Sequence, residues 1–316
     1  MEAGGQKASG NIYFTTASIR SSSQRIAAAL IALWILWGSM FMALKVAMTT
    51  IPPFITGFRF IIAGLVLLLW RLWRSPSEER PVKKQWIVAS ITGALLIFGG
   101  QGGIIAGQLY LSSSITALLI SFVPIWITLI QWGIFKKRPS AKSVAGLLLG
   151  LSGFLLLLLP SKAHWHINPI GVIFVLLGSL SWAIGSVYSR NSNQPKQILT
   201  GAAIQMLVGG LLILLVGLAT GEFTQLKFSS ISFASIISFI YLTFVTLSGF
   251  ILFSWLLHVG TPSLPNTFAY VSPVVAVVLG WVFLDEQLTF QMIAASLIIL
   301  SGVILIVLSA AKSNTK

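Results

Sequence analysis

Two stretches of the chain carry no charged side chain: Gln85–Phe135, 51 residues, and Phe228–Leu284, 57 residues. A water-soluble domain, with about a quarter of its residues charged, cannot clothe such segments in polar surface. The shortage extends over all 316 residues, of which 56% are hydrophobic and 8% charged. Lipid is the solvent that fits. A helix crossing about 30 Å of hydrocarbon needs roughly 20 apolar residues. Each long run therefore holds two passes and a turn. Ile26–Leu44, Pro53–Trp70, Ser143–Ser161, Ile167–Ser189, Gln197–Gly221 and Gln287–Ala311 hold one pass each, for ten in all. The segments lack the in–out alternation of a barrel strand, and helices satisfy their own backbone in lipid. The expected fold is all-α and integral to the membrane.

Charge sets the expected orientation. Short cytoplasmic loops accumulate Lys and Arg. With the N-terminus inside, the cytoplasmic segments hold 16 of the 20 basic residues, in clusters such as Arg71–Lys84 and Lys136–Lys142. The outer loops hold two, Lys162 and Lys227, and Lys45 and Arg59 lie within helices. This bias accounts for the net charge of +14 without a nucleic-acid partner. The reading is a multi-pass plasma (inner) membrane protein with both termini cytoplasmic. The polar stretch 1–25 reads as a disordered tail rather than a signal peptide. With no cysteine, disulfides and thiolate metal sites are excluded.

Self-similarity adds an architecture. Leu151-Ser152-Gly153 recurs as Leu300-Ser301-Gly302, an offset of 149 that also pairs Pro124 with Pro273 and Lys136-Lys137-Arg138 with Asp285-Glu286-Gln287. Trp37 and Lys45 match Trp182 and Arg190 at an offset of 145. Residues 26–161 and 167–311 thus read as two copies of a five-helix unit, with 312–316 a cytoplasmic tail. Five passes are an odd number, so the second copy enters from the opposite face. The charge of the repeated loop changes from basic to acidic in the same sense. Inverted repeats are a recurrent plan of secondary transporters.

At these residues the sequence resembles the EamA family of the drug/metabolite transporter superfamily. Trp37-Gly38-Ser39 running to Lys45, then Pro53 and Gly57-Phe58-Arg59-Phe60, look like the opening of an EamA domain. Ser121-Phe122-Val123-Pro124, Tyr270-Val271-Ser272-Pro273 and the Asp285-Glu286 ending are similar to its later pattern. The resemblance implies ten helices, with the first four of each repeat around a central cavity. It also implies export of amino acids, other metabolites or toxic compounds. One departure is that Lys136-Lys137 stands where the first repeat usually ends in an acidic residue.

Polar groups within lipid usually face the protein interior or a wet cavity. Lys45 and Arg59 fall in the outer half of the first repeat, and no Asp or Glu falls within a span. Either cation could attract an anionic group of a solute. Equally, Lys45 could snorkel to the headgroups and Arg59 could cap backbone carbonyls. Ser121, Pro124, Thr128 and Gln131 share a narrow helical arc, as do Asn266, Tyr270, Pro273 and Val277. Pro124 and Pro273 are expected to kink their helices and free carbonyls for a wet cavity; polar glue between helices is the alternative. Gln101 and Gln108, seven apart, share a face of the third helix amid Gly99, Gly100, Gly102, Gly103 and Gly107, which allow close approach or unwinding. Trp37 and Trp182 could stack on an aromatic or cationic solute.

His258 and Glu286 are the candidate coupling groups. His164-Trp165-His166 lacks the further ligands a metal site needs. No cofactor is expected. The function that follows is a secondary transporter of small solutes, monomeric or homodimeric, working by alternating access, whose partners are its solute and the bilayer. The alternatives are an intramembrane enzyme acting on lipid-linked substrates, for which the spans lack placed acids and bases, and a channel. The chain is expected not to be an enzyme, and without a P-loop it drives no ATP-dependent transport by itself.

Overall fold

The computed structural model describes residues 23–74, 81–136, 138–159, 167–259 and 268–313. Helices begin and end a few residues from the limits of the charge gaps. The first repeat holds α1 (Ser23–Ala47), α2 (Phe58–Arg74) behind a 3-10 turn (Pro53–Gly57), and a third span of three joined parts: α3 (Lys83–Gly93), a π-helix (Ala94–Gln101) and α4 (Gly102–Gln108). Its fourth span is α5 (Ser113–Ile120) and α6 (Val123–Phe135), and its fifth is α7 (Ala141–Leu158). The second repeat holds α8 (Pro169–Asn191), α9 (Ile198–Ala219), the short α10 (Glu222–Gln225), α11 (Phe233–Val259), α12 (Phe268–Leu284) and α13 (Phe290–Ser313). Seven of these segments are long and apolar enough to cross a membrane, and three shorter apolar helices, Ala141–Leu157, Val271–Leu284 and Phe290–Ile306, complete the ten passes. The described residues include no β-strand.

The bundle's outer surface is apolar. Leu69, Trp73, Phe283 and Leu297 are each more than 60% exposed, as lipid contact requires and water would penalise. The two ends differ in charge. Arg71, Lys83, Lys84, Lys136, Arg138, Lys142, Arg190 and Lys196 gather at one, the basic end. The other, the acidic end, carries Glu222, Asp285 and Glu286.

Helix pairing records the duplication. Span 2 packs on span 7 (α2 on α9) and span 5 on span 10 (α7 on α13). Span 1 packs on spans 8 and 9, and span 6 packs on spans 3 and 4. Exchanging each span with its counterpart five places along leaves this set of pairs unchanged, as a twofold relation between the halves demands. With five passes each, the halves run in opposite directions.

The same relation holds atom by atom. On α7 and α13, a Cβ at Gly302 would lie 2.5 Å from the Gly146 carbonyl oxygen, and one at Gly153 would lie 3.0 Å from that of Ala295. The offset of 149 carries the pair 146/302 onto 295/153. Small residues let the two backbones meet, which is how helices associate where lipid offers no hydrophobic drive. Against the third span, Gly103 and Gly178 face each other closely enough that a Cβ on Gly103 would stand 2.6 Å from the Gly178 Cα.

The two repeat-related prolines fare differently. Pro124 does not kink a continuous helix: α5 ends at Ile120, the chain turns through Ser121-Phe122, and Pro124 sits in the first turn of α6, where no intrahelical amide is needed. Pro273 lies inside the unbroken α12. Nor do the glycines of the third span unwind it. They widen it into a π-helix whose Leu95 carbonyl accepts from Ser181 Oγ at 2.8 Å.

Candidate substrate cavity

The spans that cross between repeats leave a cavity of about 90 Å³, room for several water molecules. Spans 1–4, 6, 8 and 9 supply its described wall. The wall is mostly apolar, its largest side chains being the aromatic Trp37, Phe41, Phe60, Trp182, Phe250 and Phe268, and its polar points are Gln101, Thr246 and Ser272. Of the candidates read from sequence, Trp37, Gln101, Trp182 and Pro273 stand on it.

The tryptophans are related as the repeats are. Trp37 packs over Gly249, where a Cβ would collide with its indole; Trp182 packs over Gly100, where a Cβ would lie 2.7 Å from its ring. Gly100 and Gly249 are themselves 149 residues apart. The cavity is therefore bounded twice by one device, an indole lying on a glycine of the other repeat. Trp37 is further fixed by Phe253, stacked at 5.4 Å, and by Phe268, edge-on at 4.3 Å.

Arg59 is fully buried. Its Nη2 donates to Gln101 Oε1 at 3.2 Å, and its guanidinium carbon lies 4.6 Å from the centre of the Phe60 ring. Gln101 and Phe60 both belong to the wall, so the cation stands directly behind it. Arg59 Nε and Nη1 have no hydrogen-bond partner. The carbonyl-capping role considered for Arg59 belongs instead to Lys45. Lys45 Nζ donates to the Gln108 and Leu111 carbonyls at 2.6 and 2.9 Å, where the third span ends. A cation there meets the negative end of the helix dipole.

Several other candidates lie elsewhere. Gln108 is buried and donates to the Phe41 carbonyl at 3.1 Å, so the π-turn above it leaves it serving a different helix from Gln101. Ser121 is buried behind the wall, and Thr128 Oγ1 bonds the Pro124 carbonyl of its own helix at 2.8 Å. Thr128, Pro124 and Ser121 are off the described wall, because the break at Ser121-Phe122 turns Ala117, Ile120 and Val123 inward instead. Asn266 and His164-Trp165-His166 fall outside the described residues, as do the side chains of His258 and Tyr270. Among the described residues no group of His, Asp and Glu could hold a metal.

Glu286 closes the acidic end. Its Oε1 accepts from the Ser113 amide and hydroxyl at 2.7 and 2.8 Å, and its Oε2 accepts from the Ser114 amide at 3.0 Å and from the Ser114 hydroxyl. A carboxylate of one repeat thus caps the first turn of the fourth span of the other. Thr49 Oγ1 lies 3.0 Å from Ser235 Oγ, Thr50 Oγ1 donates to the same oxygen at 2.8 Å, and Glu222 Oε2 accepts from the amides of Phe54 and Ile55 at 2.8 and 3.2 Å.

The wall residues that sequence reading missed were within its reach. Phe41 follows Trp37 by one helical turn, and Phe250 adjoins Gly249, the repeat partner of Gly100. Phe60 was hidden because Arg59, its neighbour, drew the attention given to that turn.

An apolar ten-pass bundle of two inverted repeats around an aromatic-lined central cavity defines a multi-pass membrane transporter. The chain belongs to the EamA-like transporter family, whose model matches residues 24–159 and 169–308. It is 32% identical over 258 residues to YedA, an uncharacterized inner membrane transporter of Escherichia coli (strain K12), covering 80% of each chain. It is 27% identical over 288 residues to YvbV, an uncharacterized transporter of Bacillus subtilis (strain 168), covering 89% of this chain and 91% of that one. A crystal structure with 18% sequence identity shares the fold at a TM-score of 0.62, over 92% of this chain and 98% of that chain.

Proposed function

We propose that the protein is a secondary carrier whose central cavity opens alternately to the two faces of the membrane, moving small metabolites, amino acids or amphiphilic aromatic compounds out of the cytoplasm. The observation that carries this reading is the exchange symmetry of the helix pairs around the cavity. Two halves that are equivalent but inverted can trade conformations, and trading them moves the opening from one face to the other. Bonds between the repeats at the acidic end, through Glu286, Thr49, Thr50 and Glu222, are the contacts that such an opening must break. The aromatic wall favours solutes with an apolar or aromatic body. Family resemblance supports export.

The basic end is assigned to the cytoplasm by the excess of Lys and Arg there. A single cysteine in place of Arg138 should resist an impermeant maleimide in intact cells; ready labelling would reverse the orientation. The transport reading is tested by counterflow in proteoliposomes. Vesicles preloaded with an aromatic amino acid should transiently accumulate the labelled compound in a saturable manner, whereas non-saturable equilibration would mark a channel. A chemically altered product would mark an enzyme.

A further inference from the structure

We propose that Arg59 is an anion-receiving group of the cavity, and that the solutes it selects carry a carboxylate. The inference rests on the cavity being the solute site, and adds the charge of what enters it. A guanidinium has five N–H donors and keeps its charge at any physiological pH. Burying it is costly unless an anion and further acceptors compensate. In this fold the compensation is incomplete. Arg59 is 0% exposed, receives one hydrogen bond acceptor from Gln101, and leaves Nε and Nη1 without partners. No described Asp or Glu lies within a span, since Glu222, Asp285 and Glu286 all lie at the acidic end and engage backbone amides or a turn. Among the described residues Arg59 has no counter-ion.

The geometry shows where one would enter. The two side chains that hold the guanidinium, Gln101 and Phe60, are wall residues, so Arg59 lies one side chain behind the solute space. Rotation of the Gln101 amide uncovers it. An entering carboxylate then replaces the Gln101 oxygen as acceptor and can engage two guanidinium nitrogens side by side, while its aromatic or aliphatic body rests between Trp37 and Trp182. Gln101 is the competitor that keeps Arg59 partly satisfied when the cavity holds no solute.

The test measures binding to the purified, lipid-reconstituted protein by calorimetry, with phenylacetate and its neutral isostere phenylacetamide as probes and chloride as the inorganic control. Wild type should bind phenylacetate about tenfold more tightly than phenylacetamide, the worth of one charge-assisted hydrogen bond. Arg59→Met should abolish that preference, and Arg59→Lys should restore part of it. Gln101→Leu, which removes the competing acceptor, should tighten phenylacetate binding and leave chloride ineffective; this variant keeps the proposal open to refutation if Arg59→Met does not fold. Equal affinity of wild type for the acid and the amide would overturn the anion site while leaving the cavity reading intact. So would displacement of phenylacetate by chloride at equal concentration, which would make the site one for inorganic anions. Absence of binding by either organic probe would count against both readings.

Discussion

Glu222 illustrates how single residues serve this fold at its edges. Only 8% exposed, it sits beyond the end of α9 with its carboxylate on the amides of Phe54 and Ile55, at the start of the 3-10 turn that leads into α2. Burial pushes its carboxyl above the usual range, and the two amides pull it back only in part. Over the window between the ordinary carboxyl value and this raised one, the folded protein holds a proton that the unfolded chain has released. Stability therefore falls as pH rises through that window. Glu222→Gln keeps an oxygen for the Phe54 amide but cannot titrate. Its unfolding temperature, followed in detergent from about pH 4 to 7, should decline less than that of wild type; parallel profiles would remove Glu222 from the account. Such pairings were not legible in the sequence. Glu222 and Phe54 lie 168 positions apart, and nothing in spacing or composition links an acidic residue between spans to a distant amide. Lys45 shows the same limit. Its position near a helix end could be read directly, but the carbonyls it meets belong to another span.

The elements were more readable, because their lengths follow from hydrocarbon thickness and their limits from charge. Where sequence reading went astray, local chemistry had more than one outcome. A proline in an apolar run can kink a helix or begin one, and Pro124 begins one because Ser121-Phe122 have already turned the chain. For the glycines of the third span the sequence leaves close approach and unwinding both open, and Gly99, Gly100, Gly103 and Gly107 admit α8. Two glycines separate contact from intrinsic propensity. Gly302→Val would push a branched side chain into the Gly146 backbone at the α7–α13 seam, and should cost several kcal/mol, seen as lost folded yield on gel filtration. Gly133 on α6 has open space around its Cβ position. Gly133→Ala should be neutral or stabilising by about 0.5–1 kcal/mol, from helix propensity alone. Equal effects at the two sites would mean that the seam is not held by close backbone approach.

At the scale of the whole molecule, the most informative signal was the repeat at an offset of 149, because it dictates both the antiparallel relation of the halves and which spans meet. Gly100 under Trp182 and Gly249 under Trp37 are that offset expressed as packing. What the repeat could not reveal is which side chains bond across the halves at the acidic end. These bonds also provide the most direct test of alternating opening. The chain has no cysteine, so a pair replacing Thr49 and Ser235, whose hydroxyl oxygens stand 3.0 Å apart, is free of competing thiols. Counterflow is measured in proteoliposomes of this double variant after oxidation and again after reduction. The account predicts that the disulfide arrests solute exchange and that reduction restores it. Exchange at an undiminished rate with the disulfide fully formed would contradict it.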